Sequence, residues 1–308
     1  MKIVDCYRPK PPTAWAAAQT WHEGAPAPVQ ADFELQAEHH LEVRVEGRGP
    51  ATLVCTPECL VELALGHLFA EGVIDGVDDV RLLHLNRPGT VATVVLRDEK
   101  ASGEGTPFLA LAPNTPPRDV APVVTAPFTG WDLSWVKALT ERFCSDTPMH
   151  RKTHGAHSCF IAVDGAVVFE CEDIGRHNAF DKALGHALRR GIDLRRAMLF
   201  TSGRTPSDVI AKVVRAHIPV LVSAAVPTDQ AVAMAQEQGV TLFSWARSGS
   251  FRLFSDPLGR GAELLRAARE GFGPAERLGQ AALPSTVCRE KGEKGGKVVG
   301  MIGEAQAV

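Results

Sequence analysis

The sequence predicts an α/β protein in two units: a small N-terminal α+β domain over residues 36–97 and a larger α/β domain over 131–272, with helices on both faces of a mainly parallel sheet. Three observations carry this prediction. From Cys159 onward, short apolar runs of strand length alternate with amphipathic stretches of helical period. Thr, Pro and Gly stand where those helices would start and stop. Between the units, residues 98–130 turn to Gly, Pro, Thr and Ala, which suits a linker or mobile loop.

The bulk properties narrow the class. With 308 residues, 45% hydrophobic and 22% charged, the chain can bury a proper core. A net charge of −3 argues against a nucleic-acid binder, which carries a basic surplus. No apolar run reaches the length of a membrane span, and Pro9 interrupts the N-terminus before any leader-like apolar region. The expectation is a cytoplasmic protein with no membrane partner. The seven Cys include no C-x-x-C pair, so no disulfide scaffold is expected, and Cys55 and Cys59 read as small half-buried hydrophobes.

In chain order, residues 1–35 are Pro- and Ala-rich and predict an irregular arm. HLEVRVEG (40–47) alternates with period two, and ATLVC follows as a second strand. Thr56-Pro57-Glu58 has the form of an N-cap, a Pro at the first helical position and an acid in the first turn. The helix it would start places Leu60, Leu63, Ala64 and Leu68 on one stripe and stops at Gly72. VRLLHL and VATVVLR complete the first unit. In the second, a helix with Leu133, Val136, Leu139 and Phe143 inward precedes CFIAV, AVVFEC, helix 178–190, AMLFT, helix 206–217, PVLVSAA, helix 228–238, VTLFSW and FRLF. Gly191 ends the first of these later helices, and Thr205-Pro206 and Thr228 begin the next two. A last helix over 259–270 leads into a loosely ordered tail, 273–308.

Ligands of open parallel sheets bind beyond the carboxyl ends of the strands. Four strand ends in succession carry the same kind of residue there. Glu172, Asp173, Gly175, Arg176, His177 and Asn178 follow AVVFEC; Ser202, Gly203 and Arg204 follow AMLFT. Pro227 and Thr228 come after PVLVSAA, while Trp245, Ala246, Arg247, Ser248, Gly249 and Ser250 close VTLFSW. Gly admits phosphate to the backbone, Arg gives it paired donors, the acids suit a purine or pterin edge, and Trp offers a stacking face. The set fits a flat, phosphate-bearing anion, with Asp173, Arg176 and His177 expected to face the crevice. A zinc deaminase site is the competing chemistry, but HGAHSC has no P-C-x-x-C to complete it. No zinc or other metal ligand set is therefore assigned, and His157 is read as a pocket residue.

EDIGRHNAFDKALG, TSGRTPSDVIAKVV, KTHGAHSCFIA and CTPECLVELALGHLFAEGVI together resemble the formate dehydrogenase accessory sulfurtransferases, the FdhD/NarQ family. The resemblance runs from about Glu38 to Leu258. It implies a cytidine-deaminase-like three-layer α/β/α domain without zinc, beside a smaller N-terminal domain, as a homodimer. It further implies a bis-molybdopterin guanine dinucleotide cofactor as bound cargo, sulfur received from a cysteine desulfurase, and delivery to formate dehydrogenase. The family's guanine-dinucleotide stretch falls on Trp245–Ser250. One departure stands out: the family's C-G-x-C-G loop, whose first Cys bears persulfide, corresponds to a stretch of 98–130 with no Cys. Only a thiol can relay sulfane sulfur, so Cys144 and Cys159 remain as candidates. Two readings stay open: a sulfurtransferase, and a cofactor carrier that has lost the relay.

Overall fold

A computed structural model of the chain describes residues 1–24, 26–97, 130–145, 147–247 and 250–261, with Glu263 and Arg266. The loop expected over 98–130 lies outside these residues except for Gly130. So do most of the helix expected over 259–270 and all of the tail 273–308.

The fold is α/β. The first sheet has five strands in the order β1 (Lys2–Asp5), β6 (Val80–Leu85), β7 (Val91–Leu96), β4 (His39–Val45) and β5 (Ala51–Cys55). Its strands bury every second residue, as in β4, where Leu41, Val43 and Val45 point inward between exposed His40 and Arg44. Helix α1 (Leu60–Ala70) covers that face and is buried on nearly every side, Glu62 and His67 included.

The second sheet has six strands, ordered β13 (Ser250–Ser255), β12 (Thr241–Arg247), β11 (Val220–Ser223), β10 (Ala197–Thr201), β8 (His157–Val163) and β9 (Ala166–Asp173). Helices α4 (Arg176–Arg190), α5 (Ser207–Arg215) and α6 (Asp229–Glu237) cover one face, with Leu199, Leu221 and Leu242 beneath them. Helix α2 (Leu133–Ser145) covers the other, over Phe160, Phe200 and Phe243, and short α3 (Pro148–Thr153) follows it. Both faces are covered as expected. The sheet is mixed rather than mainly parallel: β10, β11 and β12 run parallel, whereas β8 against β9 and β10, and β13 against β12, are antiparallel.

The two sheets meet through α1 and α4, whose core residues form one continuous cluster. Two glycines let the helix backbones touch. A Cβ on Gly66 would lie 1.7 Å from the Asp181 carbonyl oxygen, and one on Gly185 would lie 1.9 Å from that of Glu62.

Three local readings need correction. The segment expected to be irregular, 1–35, holds β1, which pairs in parallel with β6, and most of a ribbon of β2 (Thr13–Thr20) and β3 (Val29–Gln36). Backbone pairing with partners distant in sequence gives order that local composition does not display. Thr56 is not the N-cap of α1. That position falls to Cys59 at φ 52°, because Thr56 turns its amide and hydroxyl to Asp173 on β9 instead. Cys55 is fully buried and Cys59 is disulfide-bonded, so only the small buried character expected of Cys55 holds.

Candidate functional site

The stretch from Glu172 to Lys182 splits into an inward half and a rim half. Side chains alternate along β9, so Phe169, Cys171 and Asp173 face α4 while Glu170 and Glu172 face the other way. Asp173 is fully buried. It lies 2.6 Å from Lys182 Nζ and accepts from the Thr56 amide and hydroxyl (both 3.0 Å), the Gly175 amide (2.8 Å) and Asn178 Nδ2 (3.0 Å). Burial pulls the Lys182 ammonium toward the neutral form, but the Asp173 charge beside it wins and its pKa ends above that of an ordinary lysine. Asn178 also donates to the Val54 carbonyl at 2.6 Å. These groups bind the first sheet to the start of α4. The expectation that Asp173 faces the crevice is therefore wrong.

Glu172 is likewise a fold residue. Its carboxylate accepts from the Met149 and His150 amides at 2.8 and 2.9 Å, which caps α3, and from Ser158 Oγ at 3.3 Å. A second buried set lies on α4 next to Lys182. Asp181 is 2.5 Å from Lys212 Nζ and 3.4 Å from His67 Nδ1. Burial would raise the Asp181 pKa, yet Lys212 and His67 hold it below the usual carboxylate range.

The strand ends do form one edge. His157, the first residue of β8, pairs with Asp173 at the end of β9, and Cys159 pairs with Thr201 at the end of β10. The Ser202 amide donates to the Ser158 carbonyl, Ala224 to Thr201, Thr205 to Val226 and Trp245 to Ala225, at 2.9 to 3.3 Å. Thr228 caps α6, its hydroxyl accepting from the Ala231 amide, and Pro227 bridges to Thr205. This lacing brings Arg176, His177, His157, Ser202, Gly203, Arg204, Pro227, Thr228 and Trp245 to one rim. Gly203 is required there, since a Cβ would lie 2.9 Å from Arg176 Cβ.

Several rim groups have unfilled bonding capacity. Arg176 Nε and Thr205 Oγ1 are buried with no hydrogen-bond partner among the described residues. Ser202 Oγ accepts from the Ser158 amide at 2.9 Å and lies 3.4 Å from His157 Nδ1. Burial, then the neighbouring Arg176 and His150, push the His157 imidazole toward its neutral form. Burial does the same to His177, which sits 3.6 Å from Asp208.

At the end of β12 the chain bulges between Ser244 and Arg247, and Trp245 takes a left-handed φ of 55°. Its ring is 38% exposed and carries the Arg252 guanidinium 4.4 Å from its centroid and that of Arg247 at 5.6 Å. Ala246 points inward and is buried, so it is not a rim residue. Ser248 and Gly249 lie outside the described residues, and Ser250 pairs with Arg247. The sequence reading missed Arg252. Its signal was the alternation in SGSFRLF, which places Arg252 opposite Ser244 in the β12–β13 hairpin.

The cysteines divide by exposure. Cys159 is fully buried, and burial with Cys171 beside it raises its thiol well above the ordinary range. Burial likewise raises Cys171, and it pushes Cys55 up to about 12. Buried thiols held above their ordinary range are poor sources of thiolate, which counts against Cys159 as a relay candidate. Cys144 is exposed, at the end of α2. Among the described residues, no three His, Cys, Asp or Glu side chains gather to hold a metal, and no helix is long and apolar enough to cross a membrane. A cavity of about 300 Å³ beside β9, lined by Glu58, Cys59, Thr147, Lys152 and Glu172, shares only Glu172 with the expected set.

Residues 36–259 match the FdhD/NarQ family. The sulfur carrier protein FdhD of Anaeromyxobacter dehalogenans (strain 2CP-C) is 32% identical over 257 residues, covering 72% of this chain and 86% of that protein. The protein of the same description from Bordetella bronchiseptica is 30% identical over 257 residues, covering 79% of this chain and 88% of its own. Among solved structures, a candidate formate dehydrogenase accessory protein from Desulfotalea psychrophila has the same fold, with a TM-score of 0.65 at 24% identity over 80% of this chain and 98% of that one.

Proposed function

The chain belongs to the FdhD/NarQ family, and from that premise we propose that it holds a molybdopterin guanine dinucleotide cofactor on the arginine-bearing edge of its second sheet. The observation that carries this reading is the pair of orphaned polar atoms on that edge, Arg176 Nε and Thr205 Oγ1. Buried donors are almost always satisfied, and an anionic ligand supplies the missing acceptors. Exposed Trp245, already overlain by Arg252, offers a face for a purine. Arg204 and Arg247 supply charge for the phosphates. His157 and His177, held toward the neutral form, are ready to donate or accept without bringing a fixed charge.

The relatives' description as sulfur carriers supports an accessory role toward formate dehydrogenase, with a cysteine desulfurase as the sulfur donor. In that chemistry an acceptor thiolate attacks the sulfane sulfur of a donor persulfide, the S–S bond breaks, and the donor leaves as thiolate. Exposure favours Cys144 over Cys159 for this step. The cofactor-holding half of the role has more residues behind it than the sulfur relay has.

Calorimetric titration of the full chain with GDP tests the holding role, since GDP is the end of the cofactor that the rim suits. Binding that weakens in Arg204→Ala and Arg247→Ala is expected, and a wild-type chain that ignores millimolar GDP would defeat the reading. The relay is tested separately by intact mass after incubation with a persulfide-loaded desulfurase. An added sulfur that disappears in Cys144→Ser is the outcome that establishes it.

A further inference from the structure

His157 and Ser202 stand side by side on the rim, and the bonds around them assign a proton. The two segments grip each other: the Ser202 amide donates to the Ser158 carbonyl at 3.0 Å, and the Ser158 amide donates to Ser202 Oγ at 2.9 Å. The second bond occupies one lone pair of the hydroxyl and leaves its proton to be placed. Among the described residues, the acceptor within its reach is His157 Nδ1, 3.4 Å away. The backbone beneath the ring is fixed, since His157 pairs with Asp173 across β8 and β9. The other ring nitrogen, Nε2, bonds to no atom of the described residues. A neutral imidazole has one donor nitrogen and one acceptor nitrogen, so what Nδ1 accepts decides what Nε2 shows.

We propose that Ser202 is a positioning residue: its hydroxyl donates to His157 Nδ1, holds the ring as its Nε2–H tautomer, and so aims a neutral donor at a phosphate oxygen of the bound nucleotide. This rests on the reading of the rim as the nucleotide-holding edge. Nε2–H is the tautomer that the surroundings favour. The guanidiniums of Arg176 and Arg204 both act on the ring, and a guanidinium only donates. A ligand lodged among such groups offers acceptors, which a bare Nε2 lone pair would repel. Burial, Arg176, His150 and Arg204 keep the ring toward neutral against the pull of Asp173. The donor therefore adds direction without adding a third full charge beside the two arginines. His177 is the contrast on the same rim. Its Nε2 is buried without a hydrogen-bond partner and lies 3.6 Å from Asp208, and no hydroxyl of the described residues bonds to its ring.

Long-range proton–nitrogen NMR of the full chain reads the tautomer without any ligand, because protonated and bare ring nitrogens resonate apart. The His157 signal is the one of eleven that His157→Gln removes. The wild type is expected to carry its proton on Nε2. Ser202→Ala should turn this into a mixture, Ser202→Thr should keep it, and the His177 signal should not move in either. By calorimetry, GDP affinity should fall about fivefold in Ser202→Ala, the worth of one neutral hydrogen bond, and should hold in Ser202→Thr. In a His157→Ala background Ser202→Ala should cost nothing further, because Ser202 acts through the ring. A wild-type proton on Nδ1, a tautomer unmoved by Ser202→Ala, or equal losses of affinity in the Ala and Thr variants overturns the proposal. Additive losses in the double variant do the same. The expected tautomer in a chain that ignores GDP would defeat the cofactor reading and leave the Ser202–His157 assignment standing. If Ser202→Ala does not fold, the wild-type spectrum and Ser202→Thr decide alone.

Discussion

Around the N-terminal half of α4 the molecule uses charge in two opposite ways. On the inner side, Asp173 with Lys182 and Asp181 with Lys212 are buried, and each charge is matched by an opposite one at 2.5 to 2.6 Å. On the rim, Arg204 and Arg247 have no carboxylate against them among the described residues, and Arg176 has an unsatisfied nitrogen. A buried charge must be paired or it costs several kcal/mol, whereas a charge at the surface can wait for a ligand. The stretch from Asp173 to Lys182 thus fastens the two sheets together, while Arg176 and the neighbouring strand ends leave one edge chemically open.

The sharpest way to break this comparison is to remove Asp173. Asp173→Ala strands the Lys182 ammonium and four further donors, and about 3–5 kcal/mol of stability should be lost. Urea unfolding measures it. Adding Lys182→Met removes the stranded charge and should restore a large part of the loss, while a single-variant cost below about 1 kcal/mol would show that the pair does not fasten the fold.

Gly185→Ala probes the same fastening without any charge. Its Cβ would enter the Glu62 carbonyl, so α1 and α4 must separate, at a cost of about 1–3 kcal/mol. Gly191→Ala at the end of the same helix is a useful contrast. It has open space around it and is strained only by its φ of 64°.

These inner residues show what the sequence could and could not reveal. Helix ends were legible wherever a local signal sets them, as at Gly191 and Thr228, and strands such as Val80–Leu85 and Ala197–Thr201 fell where the apolar runs lie. That the strand ends share one edge was legible because strand ends follow from the alternation of elements, although Glu172, Asp173 and Ala246 of the expected set proved to be turned into the fold. The direction of Asp173 was misread although its parity with Phe169 and Cys171 was available, since charge alone suggested solvent. The ribbon was missed for a different reason. Ala-rich β2 has no period-two signature, and its order comes from β3, residues away in sequence and paired in space. Thr56 belonged to a contact 117 positions distant, which no capping rule foresees.

On the rim the expected effects are on binding rather than stability. Arg247→Ala and Arg204→Ala should each weaken nucleotide binding roughly tenfold while leaving unfolding free energy within about 0.5 kcal/mol of wild type. A comparable loss of stability would erase the distinction between the two regions. Trp245→Gly sharpens it further. The left-handed φ costs glycine nothing, so stability should hold or rise slightly while stacking is lost.

The smallest effect lies in pH dependence, and it separates the two regions by window. His157, His177 and His186 are all held below the ordinary imidazole value, in each case chiefly by burial. The unfolded chain therefore binds more protons than the folded one as pH falls below about 6.5, so stability declines from there downward. The inner carboxylate Asp181 has a lowered pKa, so its contribution is intact through that window and is lost only at more acid pH. Unfolding curves between pH 7.5 and about 5 should thus show stability falling as pH falls, with His157, His177 and His186 contributing to the slope. An anion bound on the rim would favour the protonated forms of His157 and His177 and flatten that slope, leaving the share of His186, which stacks on Phe169 at 3.9 Å on the helix side of β9. Saturating GDP that leaves the slope unchanged would mean that the nucleotide sits away from the histidine end of the rim, with Trp245 and Arg247 as its remaining contacts.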